Sequence, residues 1–199
     1  MELMIDIETL DTAQSAVIIA ISAVQFSLPT GTSEGRVFDP ITLYPSKEEQ
    51  FDAGRTSSIA TWEWWKDVIA SNPRAKHEFE NMVLRDENRD SLEYITKTLG
   101  KLVEYTSGSF WCKGVGFDFP ILKSYFNSFN LDSPFEIDKR YRRLRDCRQL
   151  AGFYELLLGE PFKSEQSFTL VPHIPGDDCI MQAKEVIKLY TALKEKIMN

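Results

Sequence analysis

Leu3-Met4-Ile5-Asp6-Ile7-Glu8-Thr9-Leu10 is the stretch on which the fold turns. Leu3, Ile5 and Ile7 point one way and Met4, Asp6 and Glu8 the other, the two-residue period of a β-strand. Asp6 and Glu8 therefore stand side by side on one face. Ionised acids in a strand flanked by Ile5, Ile7 and Leu10 are costly to bury unless paired or bound to a cation. A divalent ion reverses the sign of their mutual repulsion. An edge strand with a solvated acidic face explains the same letters, and Asp-x-Glu alone does not separate the two readings.

Outward from this strand, residues 16–26 are rich in Val and Ile and predict a second, largely buried strand. The turn cluster of residues 29–35 leads to a third strand over 36–44, with Pro40 marking an irregular or edge position. These three form an antiparallel meander. Helices are predicted over 58–70, 74–84, 90–105, 118–129, 146–158 and 177–197, with a short strand at 110–112 and a loop at 113–116. In the first helix Ile59, Trp62, Trp65 and Ile69 share the inward face and Trp64 points out. In the last, Ile180, Ala183, Ile187, Tyr190 and Ile197 share a face. Helix 146–158 stops at Gly159 with Pro161 beyond it. Strands first, then helices alternating with short strands, predict an α/β fold with a mixed sheet. No linker divides the chain, so residues 1–199 are expected to form a single domain.

Composition narrows the function class. The chain has 199 residues, 43% hydrophobic and 27% charged, an ordinary globular balance that excludes a disordered or collagen-like chain. Its net charge of −7 repels polyanions, so nucleic acid would need a local basic patch or a metal to hold it. Three widely spaced cysteines form neither a disulfide framework nor a zinc pattern. A reducing cytoplasm is the expected location. The acids near the start do not suit a signal peptide, and no apolar run approaches the roughly 20 residues of a membrane helix, so no membrane partner is expected.

Further chemistry lies at two helix starts. Gly114-Val115-Gly116-Phe117-Asp118 delivers an Asp to the start of a helix, where it serves as an N-cap, a metal ligand or both. His173-Ile174-Pro175-Gly176-Asp177-Asp178 places a histidine five positions before Asp178, itself in the first turn of the final helix. Helix-dipole complementarity explains the two acids equally well, and an exposed loop would explain His173. His77, between Lys76 and Glu78, reads as solvated surface. Asp6, Glu8, Asp118 and Asp178 sit on separate elements and can meet only through tertiary structure. Convergent carboxylates with one histidine are the ligand set of a two-magnesium phosphoryl-transfer site, and hard oxygen donors select Mg²⁺ or Mn²⁺ over zinc.

Met4-Ile5-Asp6-Ile7-Glu8-Thr9, Gly116-Phe117-Asp118 and His173-(x)4-Asp178 resemble, in that order, the three motifs of the DEDDh 3′–5′ exonucleases. The resemblance runs from residue 3 to about 185. Residues 4–12, Trp62-Glu63-Trp64-Trp65 and Arg145-Asp146-Cys147-Arg148-Gln149-Leu150 are similar to a phage and bacterial branch of that family. The branch holds the exonuclease A of T-even phages and a mycobacterial exoribonuclease-like domain. Pro175 and Cys179 depart from it, since alanine is usual at both places. The resemblance implies an RNase H-like fold, a mixed five-stranded sheet flanked by helices. It implies that Asp6, Glu8, Asp118 and Asp178 hold two Mg²⁺ ions, with Mn²⁺ as a substitute, and that His173 is the general base. The implied reaction is hydrolysis of single-stranded DNA or RNA from the 3′ end to nucleoside 5′-monophosphates, with DNA slightly favoured.

Lys139, Arg140, Arg142, Arg143, Arg145 and Arg148 fall within ten residues, around Tyr141, and run against the overall charge. They are expected to contact substrate phosphates, against the alternative of a solvated charged face. Thr9, Leu10 and Phe117 lie beside the ligands as candidate nucleotide contacts, Leu10 and Phe117 as wedges on the terminal base. Two rival readings share these residues. One is a Mg²⁺-dependent phosphohydrolase of nucleotides or small phosphoesters, and the other is a catalytically silent nucleic-acid-binding module.

Overall fold

Strand β1 (Glu2–Thr9) runs through the middle of a mixed sheet. The computed structural model describes residues 1–198 apart from 32, 85–88 and 164–168, and the side chains at 84, 137–139, 197 and 198 also lie outside the described set. Beside β1 are β2 (Ile18–Ser27), antiparallel to it, and β5 (Phe110–Cys112), parallel to it. Beyond β5 lies β6 (Leu144–Asp146), also parallel. The outer edge against β2 is formed by β3 (Arg36–Val37) and β4 (Ile41–Leu43).

Six strands replace the expected five because the predicted third strand is broken at Pro40. Val37 pairs with Phe26 and Ile41 with Ala23, so the register slips by one residue across the break. A proline has no N–H for the ladder, and the edge tolerates the interruption. The short strand β6 and the six-residue helix α1 (Lys47–Asp52) carry too few periodic positions to read from sequence.

The remaining helices are α2 (Ile59–Ser71), α3 (Pro73–Leu84), α4 (Leu92–Tyr105), α5 (Asp118–Ser128), α6 (Cys147–Leu158) and α7 (Pro175–Met198). Serines cap the starts of α1, α2 and α4, and Gly159 ends α6 at φ 72°. Leu3, Ile5 and Ile7 pack against Ile95, Leu99, Ile121, Leu122 and Phe126 of α4 and α5. On the opposite face Met4 packs with Cys147 of α6 and with Cys179, Ala183 and Val186 of α7. Leu3, Met4 and Ile5 are wholly buried, and each such side chain contributes about 1.5–3 kcal/mol. That burial offsets the cost of the acids further along the strand.

Two predicted faces are corrected. Ile59 is 81% exposed, although Trp65 is buried and Trp62 half-buried as expected. In α7 the inward face is centred on Cys179, Gln182, Ala183 and Val186, and Tyr190 is exposed. Helix α7 also begins at Pro175, two residues early, because the proline ring fits a first helical turn whose N–H groups have no partner in the helix.

Candidate active site

The site lies at the carboxyl ends of β1 and β5, where β5 no longer covers β1. Pairing with β5 stops at Met4, so the edge of β1 bearing Asp6 and Glu8 opens toward the loop after β5. Asp6 pairs with Ser22 and Glu8 with Ala20 across β2, small neighbours that leave the acids room. After β5, Gly114 adopts φ 138°, and a Cβ there would stand 3.2 Å from the Arg148 guanidinium. Asp146 accepts from the Val115 N–H at 2.8 Å with one oxygen and caps α6 through the Arg148 N–H with the other. Asp118 is the first residue of α5 and buried; the cap position belongs to Phe117. The capping role expected for Asp118 is thereby overturned, which leaves its carboxylate for the cleft.

At the start of α7 the two adjacent acids divide their work. Asp177 accepts from Arg74 and from the Val171 N–H, fixing the approach of the loop. Asp178 accepts from the His173 backbone N–H at 2.7 Å. His173 itself sits at φ 64°, a left-handed conformation that disfavours a side-chain-bearing residue and is held by this bond. Its ring meets Trp64 edge-on at 4.9 Å.

Asp6, Glu8, Asp118, His173 and Asp178 all line one cleft of about 890 Å³. One ligand atom each from Glu8, His173 and Asp178 lies within 4.8 Å of the others. Burial, then repulsion from Asp118 and Asp178, raises the pKa of Asp6 well above the ordinary range. Burial and the neighbouring Asp6, Asp178 and Asp118 do the same to Glu8. Burial pushes Asp118 up to about 7 and Asp178 up to about 6. It lowers His173, which keeps the imidazole neutral at neutral pH. Four crowded carboxylates that resist ionising together are the donor set that fits hard divalent cations.

The profile of the Rv2179c-like 3′-5′ exoribonuclease domain matches residues 1–190. The chain belongs to that family. No curated protein sequence matches it. Among solved structures it is similar to E. coli exonuclease I in a metal-free complex with single-stranded DNA, at TM-score 0.55 and 14% identity over 99% of this chain and 43% of that one. It is also similar to exonuclease I in complex with the inhibitor BCBP, at TM-score 0.56 and 13% identity over 99% of this chain and 45% of that one. The chain thus spans less than half the length of these neighbours. The likeness shows the fold, which is RNase H-like.

In this member of the family the basic run disperses. The first part of the run lies on a 3₁₀ helix over Ile137–Arg143, before β6 and α6. Arg143 turns inward, donates to the carbonyls of Gly108 and Thr106 and stacks on Phe110 at 4.3 Å. Arg140 donates to the Pro134 carbonyl. Arg145 donates to the carbonyls of Arg142 and Leu144, and Arg142 lies exposed beside Tyr141. The Lys139 side chain lies outside the described residues. Of the run, Arg148 lines the cleft. The expectation for Leu10 is also corrected: its side chain is wholly buried with Trp65 in the core, not exposed as a wedge. Thr9 is buried and lines a second cavity of about 370 Å³ beside the cleft. Phe117 and Trp64 border both spaces.

Three polar residues of the lining, Gln182, Lys113 and Glu185, are not singled out by the sequence reading. Gln182 donates from Nε2 to Asp6 Oδ1 at 2.9 Å, while its Oε1 is buried with no partner. Lys113 pairs with Glu185 at 3.6 Å and moderates the charge on Asp6 and Asp178. Gln182 and Glu185 follow Asp178 at helical spacing of four and seven, a signal that could have been found.

Proposed function

We propose that this chain is a 3′–5′ exonuclease that removes nucleotides one at a time from the 3′ end of single-stranded nucleic acid, using two divalent cations. The observation that carries this reading is the meeting of Glu8, His173 and Asp178 in the cleft that Asp6 and Asp118 also line. The family and the exonuclease I fold support it.

Asp6, Glu8, Asp118 and Asp178 are the residues that would hold Mg²⁺ or Mn²⁺. Such ions supply a more acidic water and neutralise charge on the scissile phosphate. His173 Nδ1 or Nε2 accepts a proton from the attacking water, because burial keeps the ring neutral. The new bond joins the water oxygen to phosphorus, and the phosphorus–O3′ bond breaks. The products are a nucleoside 5′-monophosphate and a strand one nucleotide shorter. Arg148 and Lys113 face the phosphates from the cleft wall, and Phe117 and Trp64 offer ring surface to the terminal bases.

The resemblance to the phage branch leans slightly toward DNA. The family description names exoribonucleases, and the exonuclease I neighbour was solved with single-stranded DNA. End-labelled DNA and RNA oligonucleotides, digested side by side with Mg²⁺, Mn²⁺ or chelator, test both the chemistry and the sugar. The expected result is a one-nucleotide ladder from the 3′ end that chelator abolishes. Hydrolysis of mononucleotides without a ladder would instead support the small-phosphoester reading, and binding without hydrolysis the silent module. A reducing compartment such as the cytoplasm is the proposed setting, since Cys112, Cys147 and Cys179 are buried free thiols.

A further inference from the structure

The loop that carries His173 is held from two sides. Described residues 169–174 belong to no helix or strand, and His173 adopts a left-handed φ of 64°. Such a conformation persists only where neighbouring bonds over-determine it. The His173 N–H donates to Asp178, a carboxylate that the proposed reaction also needs as a cation ligand. A second set of bonds involves residues that do not line the cleft. Arg74, in the first turn of α3, donates to the Thr169 carbonyl at 2.7 Å and to Asp177 Oδ2 at 3.2 Å. The same Asp177 oxygen accepts from the Val171 N–H at 2.8 Å. Arg74 and Asp177 thus clasp the loop to α3.

Arg74 reaches the loop from a rigid frame. Asn72 Oδ1 accepts from the Arg74 N–H at 2.9 Å, which fixes the backbone where α3 starts. Trp65 of α2 packs on Phe79 of α3 with ring centroids 4.6 Å apart, and its indole N–H donates to the Thr9 carbonyl at the end of β1. The same α2 sets Trp64 against the His173 ring. A cavity of about 440 Å³ lies between Val68 and Ala75 of this frame and Val171 and Pro172 of the loop. Close packing does not fix the loop across that space, so the clasp ties its two walls together. An isolated surface ion pair contributes little. This one differs, because the Asp177 side chain is only 15% exposed and each partner also binds loop backbone. We propose that Arg74 and Asp177 are positioning residues, which hold the His173 imidazole at the cleft and act on the reaction only through it. The proposal rests on the exonuclease reading.

Hydrogen exchange and kinetics test it together. In chelator, the amides of Val171 and His173 should exchange about tenfold faster in Arg74→Ala and in Asp177→Asn than in the wild type. On an end-labelled single-stranded oligonucleotide, each variant should lose about tenfold in kcat, with KM within about twofold. Mn²⁺ affinity, read by calorimetry, should also stay within about twofold, since the cleft carboxylates are untouched. The double variant should be no slower than either single one, because the clasp acts as a unit. In a His173→Ala background, Arg74→Ala should change kcat by less than about twofold. Unchanged exchange, unchanged kcat, losses that multiply in the double variant, or a full effect in the His173→Ala background each overturn the proposal. So does a fall in Mn²⁺ affinity that matches the fall in kcat, the mark of general disruption. A wild type without a 3′ ladder overturns the exonuclease reading and this role with it, and faster exchange in the variants would then leave the clasp itself standing.

Discussion

Replacing Asp118 by Asn should stabilise the metal-free protein while removing its activity, and the gain should depend on pH. Burial raises Asp118 from 3.8 to about 7. An acid whose pKa rises on folding binds its proton more tightly in the folded chain than in the unfolded one. Stability therefore falls as pH climbs from about 4, and the loss is complete above about 7. At about 1.36 kcal/mol per pH unit, the full penalty is about 4 kcal/mol. Asparagine keeps the size of the side chain and an oxygen for the backbone N–H groups, but it does not ionise. It also relieves Asp6 and Glu8, whose pKa values Asp118 helps to raise.

The assay is thermal melting in chelator from pH 4.5 to 8.5. At 2–4 °C per kcal/mol for a chain of this size, Asp118→Asn should melt up to roughly 8–16 °C higher at pH 8. It should match the wild type within about 1 kcal/mol near pH 4.5. Adding Mn²⁺ should raise the wild-type midpoint, by about 2.7 kcal/mol at a hundred times the dissociation constant, and raise the variant's by less. A variant that melts at or below the wild type at pH 8, or a difference that does not change with pH, would refute the electrostatic account of the cleft.

Asp6→Ala should reduce exonuclease turnover in Mg²⁺ to background, read on an end-labelled oligonucleotide; undiminished turnover would remove Asp6 from the ligand set. His173→Ala should lower kcat by about 10²- to 10⁴-fold with KM little changed, as expected for a lost general base. Gln182→Leu removes the hydrogen bond to Asp6 and should shift the metal concentration for half-maximal activity upward by about 10- to 100-fold. Arg148→Ala should raise KM and flatten the salt dependence by about one ion, whereas Arg143→Ala should leave KM alone and cost about 1–3 kcal/mol of stability.

The residues legible in the sequence were those whose role follows from local spacing. Asp6 and Glu8 share a face because a strand has period two, and His173 approaches Asp178 because the intervening Pro175-Gly176 starts a helix. Asp118 was ambiguous because a cap and a ligand use the same residue type at the same place; the Phe117 cap removes the capping role and burial places the carboxyl at the cleft. The basic run misled because nearness along a chain is not nearness in space: the 3₁₀ turn sends Arg143 under β5 and leaves Arg148 at the cleft. Gln182 is easily passed over because a polar residue reads as facing water, although its spacing of four from Asp178 puts it on the inward face of α7 with Cys179, Ala183 and Val186, where it reaches Asp6, 176 positions away.

On the proposed reading, the charges lining the cleft account for how an acidic protein would engage a polyanion. Among its described lining residues, Lys113 and Arg148 are the cations, set against Asp6, Glu8, Asp118, Asp178 and Glu185. Without metal the cleft is negative to the extent its acids ionise, and the raised pKa values record its resistance to doing so. Two divalent ions add four positive charges, enough to reverse the local sign even with all five acids ionised. The overall charge of −7 matters less at the scissile phosphate, because fields from distant surface groups are screened within about 8 Å at physiological salt. On the proposed two-ion reading, most of the attraction for the substrate is confined to the place where the bond would break, and it depends on the ions that would support the chemistry.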